Sequence, residues 1–140
     1  MFKISPVADE QTKLALCQAL EISCRPGAFL YAMTDSGSGE LLGGCQFDIF
    51  DGYGYIYDLT ERAGRSDFEA MFILGRSTMN FIDKCGAHYC RADKNAAPER
   101  LLRAIGLSKE NDLTVGTDMS GMFDGKCTGR PVDLSDEPLF

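Results

Sequence analysis

Apolar positions along this chain change period several times, and each change marks a predicted element. Phe2-Lys3-Ile4 alternates as a short strand would. Asp9 then offers an N-cap, and Leu16, Cys17, Leu20 and Cys24 recur at helical spacing. This predicts a helix from Asp9 to about Cys24 with those four residues on its inner face. Arg25-Pro26-Gly27 stops it, since proline cannot donate a backbone N–H and glycine has no side chain to hold the helix. Ala28–Thr34 and Leu41–Phe50 read as strands on either side of the turn Asp35–Gly39. The adjacent Gly43 and Gly44 point to a bulge or a close backbone approach. Asp51-Gly52-Tyr53-Gly54 then turns the chain into a further strand, Tyr55–Leu59.

Ser66 and Glu69 have the spacing of an S-x-x-E capping box, so the next helix is expected to start at Ser66. Phe68, Met71, Phe72, Met79 and Ile82 follow at helical spacing, and Cys85-Gly86 closes the helix. Ala87–Ala92 returns to strand, Asn95–Ile105 reads as a helix stopped by Gly106, and Leu113–Met122 as a last strand. From Asp124 the chain is rich in Gly, Pro and Asp. Residues 1–123 therefore read as one domain and residues 124–140 as an irregular tail. The order β-α-β-β-β-α-β-α-β implies an α/β fold with a mixed, mostly antiparallel central sheet flanked by helices.

Composition narrows the function classes. The chain has 140 residues, 44% hydrophobic and 25% charged, which suits one domain with a full core. A net charge of −7 and a pI near 4.6 argue against nucleic acid or an anionic membrane surface as partner. No apolar run reaches membrane-spanning length and the N-terminus lacks a signal-peptide core, so a cytoplasmic protein is expected. Six cysteines are present without a CxxC pair, and they read as small buried hydrophobes kept as thiols. Cys17 and Cys24, two helical turns apart, are expected about 10 Å apart along the axis, too far to bridge. Cys85, His88 and Cys90 could suggest a metal, yet a fourth ligand is missing; His88 and Cys90 are expected on one face of a strand. His88 is the single histidine, so no Ser/His/Asp apparatus is implied.

The most informative stretch is Asn95-Ala-Ala-Pro-Glu-Arg-Leu-Leu-Arg-Ala-Ile-Gly106-Leu107. It resembles the NxxAxxxYxxxGF segment of GCN5-related N-acetyltransferases, the GNAT family, whose element order is also the one read above. Pro98 stands at the family's Ala, and Leu102 at its frequent Tyr, which protonates the leaving thiolate. The family's phosphate loop, Q/R-x-x-G-x-G/A, is matched by Glu61-Arg62-Ala63-Gly64-Arg65-Ser66. Glycines there allow close approach, and a helix N-terminus favours anions. Asp67 and Glu69 add negative charge to that turn; Arg62 and Arg65 offset it.

The resemblance implies that acetyl-CoA, or another acyl-CoA, is held by Ile56, Tyr57, Arg62, Gly64, Arg65, Ser66 and Asn95, and that an amine-bearing substrate is acylated. It assigns the strand Tyr55–Leu59 the backbone N–H groups that polarise the thioester. Asp58 and Tyr57 are then the catalytic candidates, with Asp48 and Tyr55 beside them. Leu102 implies that thiolate release relies on water or another group. A second reading is a non-catalytic GNAT-fold module for binding or dimerisation, and the resemblance leaves room for a homodimer. A third is a redox or metal sensor using the cysteines.

Overall fold

Seven strands form one sheet in the order β1-β2-β3-β4-β5-β7-β6. In this computed structural model, which describes residues 1–123, the strands are β1 (Phe2–Pro6), β2 (Phe29–Asp35), β3 (Leu41–Phe50), β4 (Tyr53–Glu61), β5 (Tyr89–Asp93), β6 (Ser108–Lys109) and β7 (Thr114–Asp118). The helices are α1 (Glu10–Leu20), α2 (Phe68–Lys84) and α3 (Glu99–Ala104). The stretch 124–140, expected to be irregular, lies outside the described residues. Every neighbouring pair is antiparallel except β4 and β5, which run parallel because α2 carries the chain back across the sheet. The expected mixed, mostly antiparallel sheet flanked by helices is present.

Helices approach from both faces, and two adjacent glycines on β3 show how. A Cβ on Gly43 would lie 2.5 Å from Met71 Cε of α2 and 2.8 Å from the Thr60 carbonyl oxygen; one on Gly44 would lie 2.5 Å from Leu20 Cδ1 of α1. Successive strand residues point to opposite faces, so the pair lets both helices close on the sheet. The expected bulge is also there: Met33 pairs with Gly43 and Thr34 with Leu41, which leaves Leu42 over. The main core lies on the α2 side, where Met71, Leu74, Met79 and Ile82 pack with Leu59, Ile56, Leu101, Leu102 and Ile105. A smaller cluster of Leu20, Ala32 and Leu41 sits under α1.

Several boundaries differ from the sequence reading, each for a local reason. Helix α1 is capped by Asp9 as expected, but ends at Leu20 rather than Cys24. Glu21 takes a left-handed conformation (φ 60°) and its N–H closes on the Cys17 and Gln18 carbonyls. Lys13, not anticipated, is buried on its inner face. Helix α2 begins one residue later than the capping box suggested. Asp67 is the N-cap, its Oδ1 accepting from the Ala70 N–H at 3.0 Å, and Ser66 plays no capping part. Helix α3 starts at Glu99 rather than Asn95, because a residue before proline is pushed out of the helical region, and Pro98 becomes the N-cap. Gly106 stops it as expected, at φ 111°. The last strand is shorter, Thr114–Asp118, and pairs with a two-residue β6, too short to show in the apolar pattern. The turn into β4 tightens to Asp51-Gly52, so Tyr53 and Gly54 belong to the strand.

Candidate functional site

Strand β4 is irregular where the resemblance places chemistry. Opposite β3, Gln46 pairs with Asp58 and Phe47 with Ile56, so Tyr57 is an extra residue in a bulge. The bulge turns Tyr57 and Asp58 away from α2 together, while Ile56 is fully buried in the α2-side core. On the other edge β4 pairs with β5 only through Gly54–Ile56 and Cys90–Ala92. Beyond that the two parallel strands part, and the next link is Leu59 N–H donating to the Ala96 carbonyl at 2.8 Å.

A cleft of about 700 Å³ opens where the strands part. It is lined from one side by Arg62, Ala63, Arg65 and Ser66 and from the other by Asn95 and Ala96. Two sequence segments nearly thirty residues apart, singled out separately, thus border one space. Gly64 shapes the loop at φ 88° without lining the cleft. Among the described residues no acceptor meets the backbone N–H groups of Ala63, Gly64 and Ser66. Glu61, however, accepts the Asp67 N–H, and Arg65 is tied to Glu40 at 3.1 Å. The start of α2 therefore carries two carboxylates of its own.

On the opposite face of β4 lies a polar network built from four elements. Gln46, wholly buried on β3, donates from Nε2 to Asp58 Oδ2 (2.8 Å) and to the Ser23 carbonyl (2.9 Å). Its Oε1 accepts the Arg25 N–H at 2.8 Å. The Arg25 guanidinium lies 4.0 Å over the Tyr57 ring. Tyr57 donates to Asp48 (3.1 Å) and Tyr55 to Asp93 (2.8 Å), with the two rings 5.2 Å apart. Lys13 secures the loop by donating from Nζ to the Arg25 carbonyl, with Glu10 3.9 Å away.

The electrostatics follow from this wiring. Burial pushes the Asp58 carboxyl above the usual carboxylate range, opposed by the Gln46 hydrogen bond and by Arg25. Burial, then the hydrogen bond to Asp93, pushes Tyr55 up to about 12, and burial with Asp48 raises Tyr57. Both phenols therefore stay protonated at neutral pH and act as donors. Asp58, held in place by a buried amide, is a carboxyl whose proton affinity burial raises.

The sequence-predicted residues thus fall into two sets on either side of β4. Arg62, Arg65, Ser66 and Asn95 border the cleft, with Gly64 in their loop; Tyr57 and Asp58 join Asp48 and Tyr55 on the far face. Ile56 can offer only backbone. Leu102 is buried against the core, and the α3 residues that line the cleft are Arg100 and Leu101. The register drawn from the Asn95 motif thus put Leu102 where a thiolate would need an acid, whereas α3, starting late, turns it inward. Gln46, Arg25, Lys13 and Asp93 were missed. Gln46 did carry a signal, as the one strongly polar residue in the otherwise apolar run Leu41–Phe47.

The cysteine and histidine expectations change as well. Among the described residues no three His, Cys, Asp or Glu side chains cluster as a metal site. His88 precedes β5, is exposed and meets Asp83 at 2.6 Å, whereas Cys90 is buried; they share no face. Cys17 and Cys24 are not separated by two helical turns. The early end of α1 folds Cys24 back until its thiol contacts Cys17, whose pKa is raised to about 11 by burial and then by that contact.

No family model and no curated protein matches the sequence. Solved structures do. The chain is similar to the ribosomal-protein-S18-alanine N-acetyltransferase of Escherichia coli, with TM-score 0.69, 11% identity, and coverage of 85% of this chain and 94% of that one. It is equally similar to a GNAT-family acetyltransferase of Desulfovibrio desulfuricans, with TM-score 0.69, 11% identity, and coverage of 85% and 99%. An N-acetyltransferase of E. coli bound to coenzyme A matches with TM-score 0.55, 14% identity, and coverage of 82% and 97%. The fold is that of the GNAT N-acetyltransferases.

Proposed function

We propose that this protein is an acyl-CoA-dependent N-acyltransferase, with acetyl-CoA or another acyl-CoA in the cleft between β4 and β5. The observation that carries this is the parting of those strands beside the Tyr57 bulge. It gives a cleft lined by the phosphate-loop segment and the Asn95 segment, with the Asp58 network across β4. The cleft suits the ligand chemically: its wall has three arginines against one glutamate, on a protein of net charge −7.

The bound cofactor supplies the acyl group as a thioester. In this reading the cleft side holds the phosphates through Arg62, the freed loop N–H groups and Ser66. The far side receives the amine. Asp58, its acidity weakened by burial, takes the proton that the attacking nitrogen sheds, directly or through one water. Gln46 keeps that carboxylate aimed, and Arg25 stands on the Tyr57 ring at the same entrance. Leu102, apolar and buried, cannot protonate a leaving thiolate and would leave that to water.

A second reading, a non-catalytic binding module, is favoured by one feature: Glu61 and Asp67 already satisfy part of the α2 N-terminus. A melting experiment with acetyl-CoA separates ligand binding from its absence. Cofactor at one hundred times its dissociation constant should add about 2.7 kcal/mol of stability. Acetyl transfer to a panel of amines then distinguishes enzyme from module. An unchanged melting temperature at millimolar acetyl-CoA would remove the enzyme reading.

A further inference from the structure

At the outer end of the same cleft α3 presents Arg100 to Phe68, the first residue of α2. The guanidinium lies 4.1 Å from the ring centroid, and both residues line the cleft. Phe68 is 36% exposed, a large ring left open on the surface. Two other arginines near this end are differently engaged. Arg65 is tied to Glu40, and Arg103 pairs with Glu99 one turn along α3. Among the described residues Arg100 meets no carboxylate. Its charge is oriented by the aromatic face and otherwise uncommitted, which leaves the five-donor fork available to an anion.

The cleft changes character with depth. Leu59, Met71, Ala96 and Leu101, all buried, make its inner wall apolar. Arg62, Phe68 and Arg100, all exposed, make its mouth cationic and aromatic. A ligand matching this gradient has a slender, weakly polar inner arm, anionic groups midway, and a planar base with a further anion outside. We infer that Arg100 and Phe68 form a subsite for the phosphorylated adenosine end of the cofactor. Phe68 offers a face for the base, and Arg100 takes the ribose phosphate by a charge-assisted, two-pronged contact. The inference rests on the acyl-CoA reading, and it adds a discrimination that reading does not require.

The test is calorimetric titration with coenzyme A and with its analogue lacking the ribose phosphate. Wild type should bind coenzyme A about tenfold or more tightly than the analogue, because a hydrogen-bonded ion pair is lost with the phosphate. Arg100→Ala should bring coenzyme A down to the affinity of the analogue and leave the analogue itself unchanged. Phe68→Ala should weaken both ligands, coenzyme A at least as much as the analogue because the ring also orients Arg100, whereas Arg62→Ala should weaken both by the same factor. Both Arg100 and Phe68 are exposed, and an unchanged melting temperature for each variant certifies the fold. Equal binding of the two ligands by wild type, or discrimination that survives Arg100→Ala, overturns the subsite and leaves the acyl-CoA reading standing. Failure of wild type to bind either ligand at millimolar concentration overturns both.

Discussion

Glu61 decides how the start of α2 is used. Its carboxylate accepts the Asp67 N–H, and it stands where the resembled phosphate loop has Gln or Arg. Glutamine in its place could still accept that N–H while removing a negative charge from the wall that would face phosphates. Glu61→Gln should therefore tighten acetyl-CoA binding several-fold with little change in melting temperature; weaker binding would show that the carboxylate does not oppose the ligand. Asp58 carries two linked expectations. Its pKa is raised on folding, so the ionised form is disfavoured in the native state. Its contribution to stability is thus best below the ordinary value of 3.8 and declines as pH rises through the folded value. Asp58→Asn should raise the melting temperature at pH 7 more than at pH 4, and lower turnover about 10²- to 10⁴-fold. The acid limb of the wild-type rate profile should vanish with it. A variant that keeps full turnover would move the base elsewhere.

Elements hold these residues where they are through a few unforgiving contacts. A Cβ on Gly54 would fall 2.5 Å from Ile82 Cγ2 and 2.6 Å from its Cδ1, so β4 and α2 touch there without room for a methyl group. Gly54→Ala should cost about 1–3 kcal/mol, read as a lower midpoint in urea. Leu102→Tyr should destabilise by a similar amount, since the site is closed core. A stable Leu102→Tyr protein with faster turnover would mean that this side chain does reach the cleft. At the end of α1 the chain reversal at Glu21 decides which thiols can react. Cys45 is buried with its pKa raised to about 12, Cys90 is buried and raised too, and Cys17 is shielded beside Cys24. Among the cysteines of the described residues, a thiol reagent at pH 8 should label Cys85 first, and label Cys17, Cys45 and Cys90 only after unfolding.

At the scale of the whole molecule, elements were legible where periodicity was long and its partners local. Strand β3 and helix α2 are examples, within a residue of their observed ends. The ends of α1 and α3 were not, because a left-handed Glu21 and the constraint before Pro98 outweigh the apolar pattern that runs past both. The two halves of the candidate site differ in the same way. Arg62, Ser66 and Asn95 border the cleft, with Gly64 in their loop, and the family resemblance pointed to all four because a loop motif is carried by residue type and spacing. The Gln46–Asp58–Arg25 network was not readable, because it depends on a bulge that puts Tyr57 and Asp58 on one side and on a loop folded back by Lys13. No helix among the described residues is long and apolar enough to cross a membrane. The central claim is that the space between β4 and β5 binds an acyl-CoA. Amide-resolved NMR of the ¹⁵N-labelled protein during titration with acetyl-CoA tests it most directly. Saturable shifts are expected in Tyr57, Leu59, Ala63, Gly64, Ser66, Asn95 and Ala96, with β1 and the β6–β7 hairpin unmoved. Shifts confined to other surfaces, or none at millimolar acetyl-CoA, would contradict it.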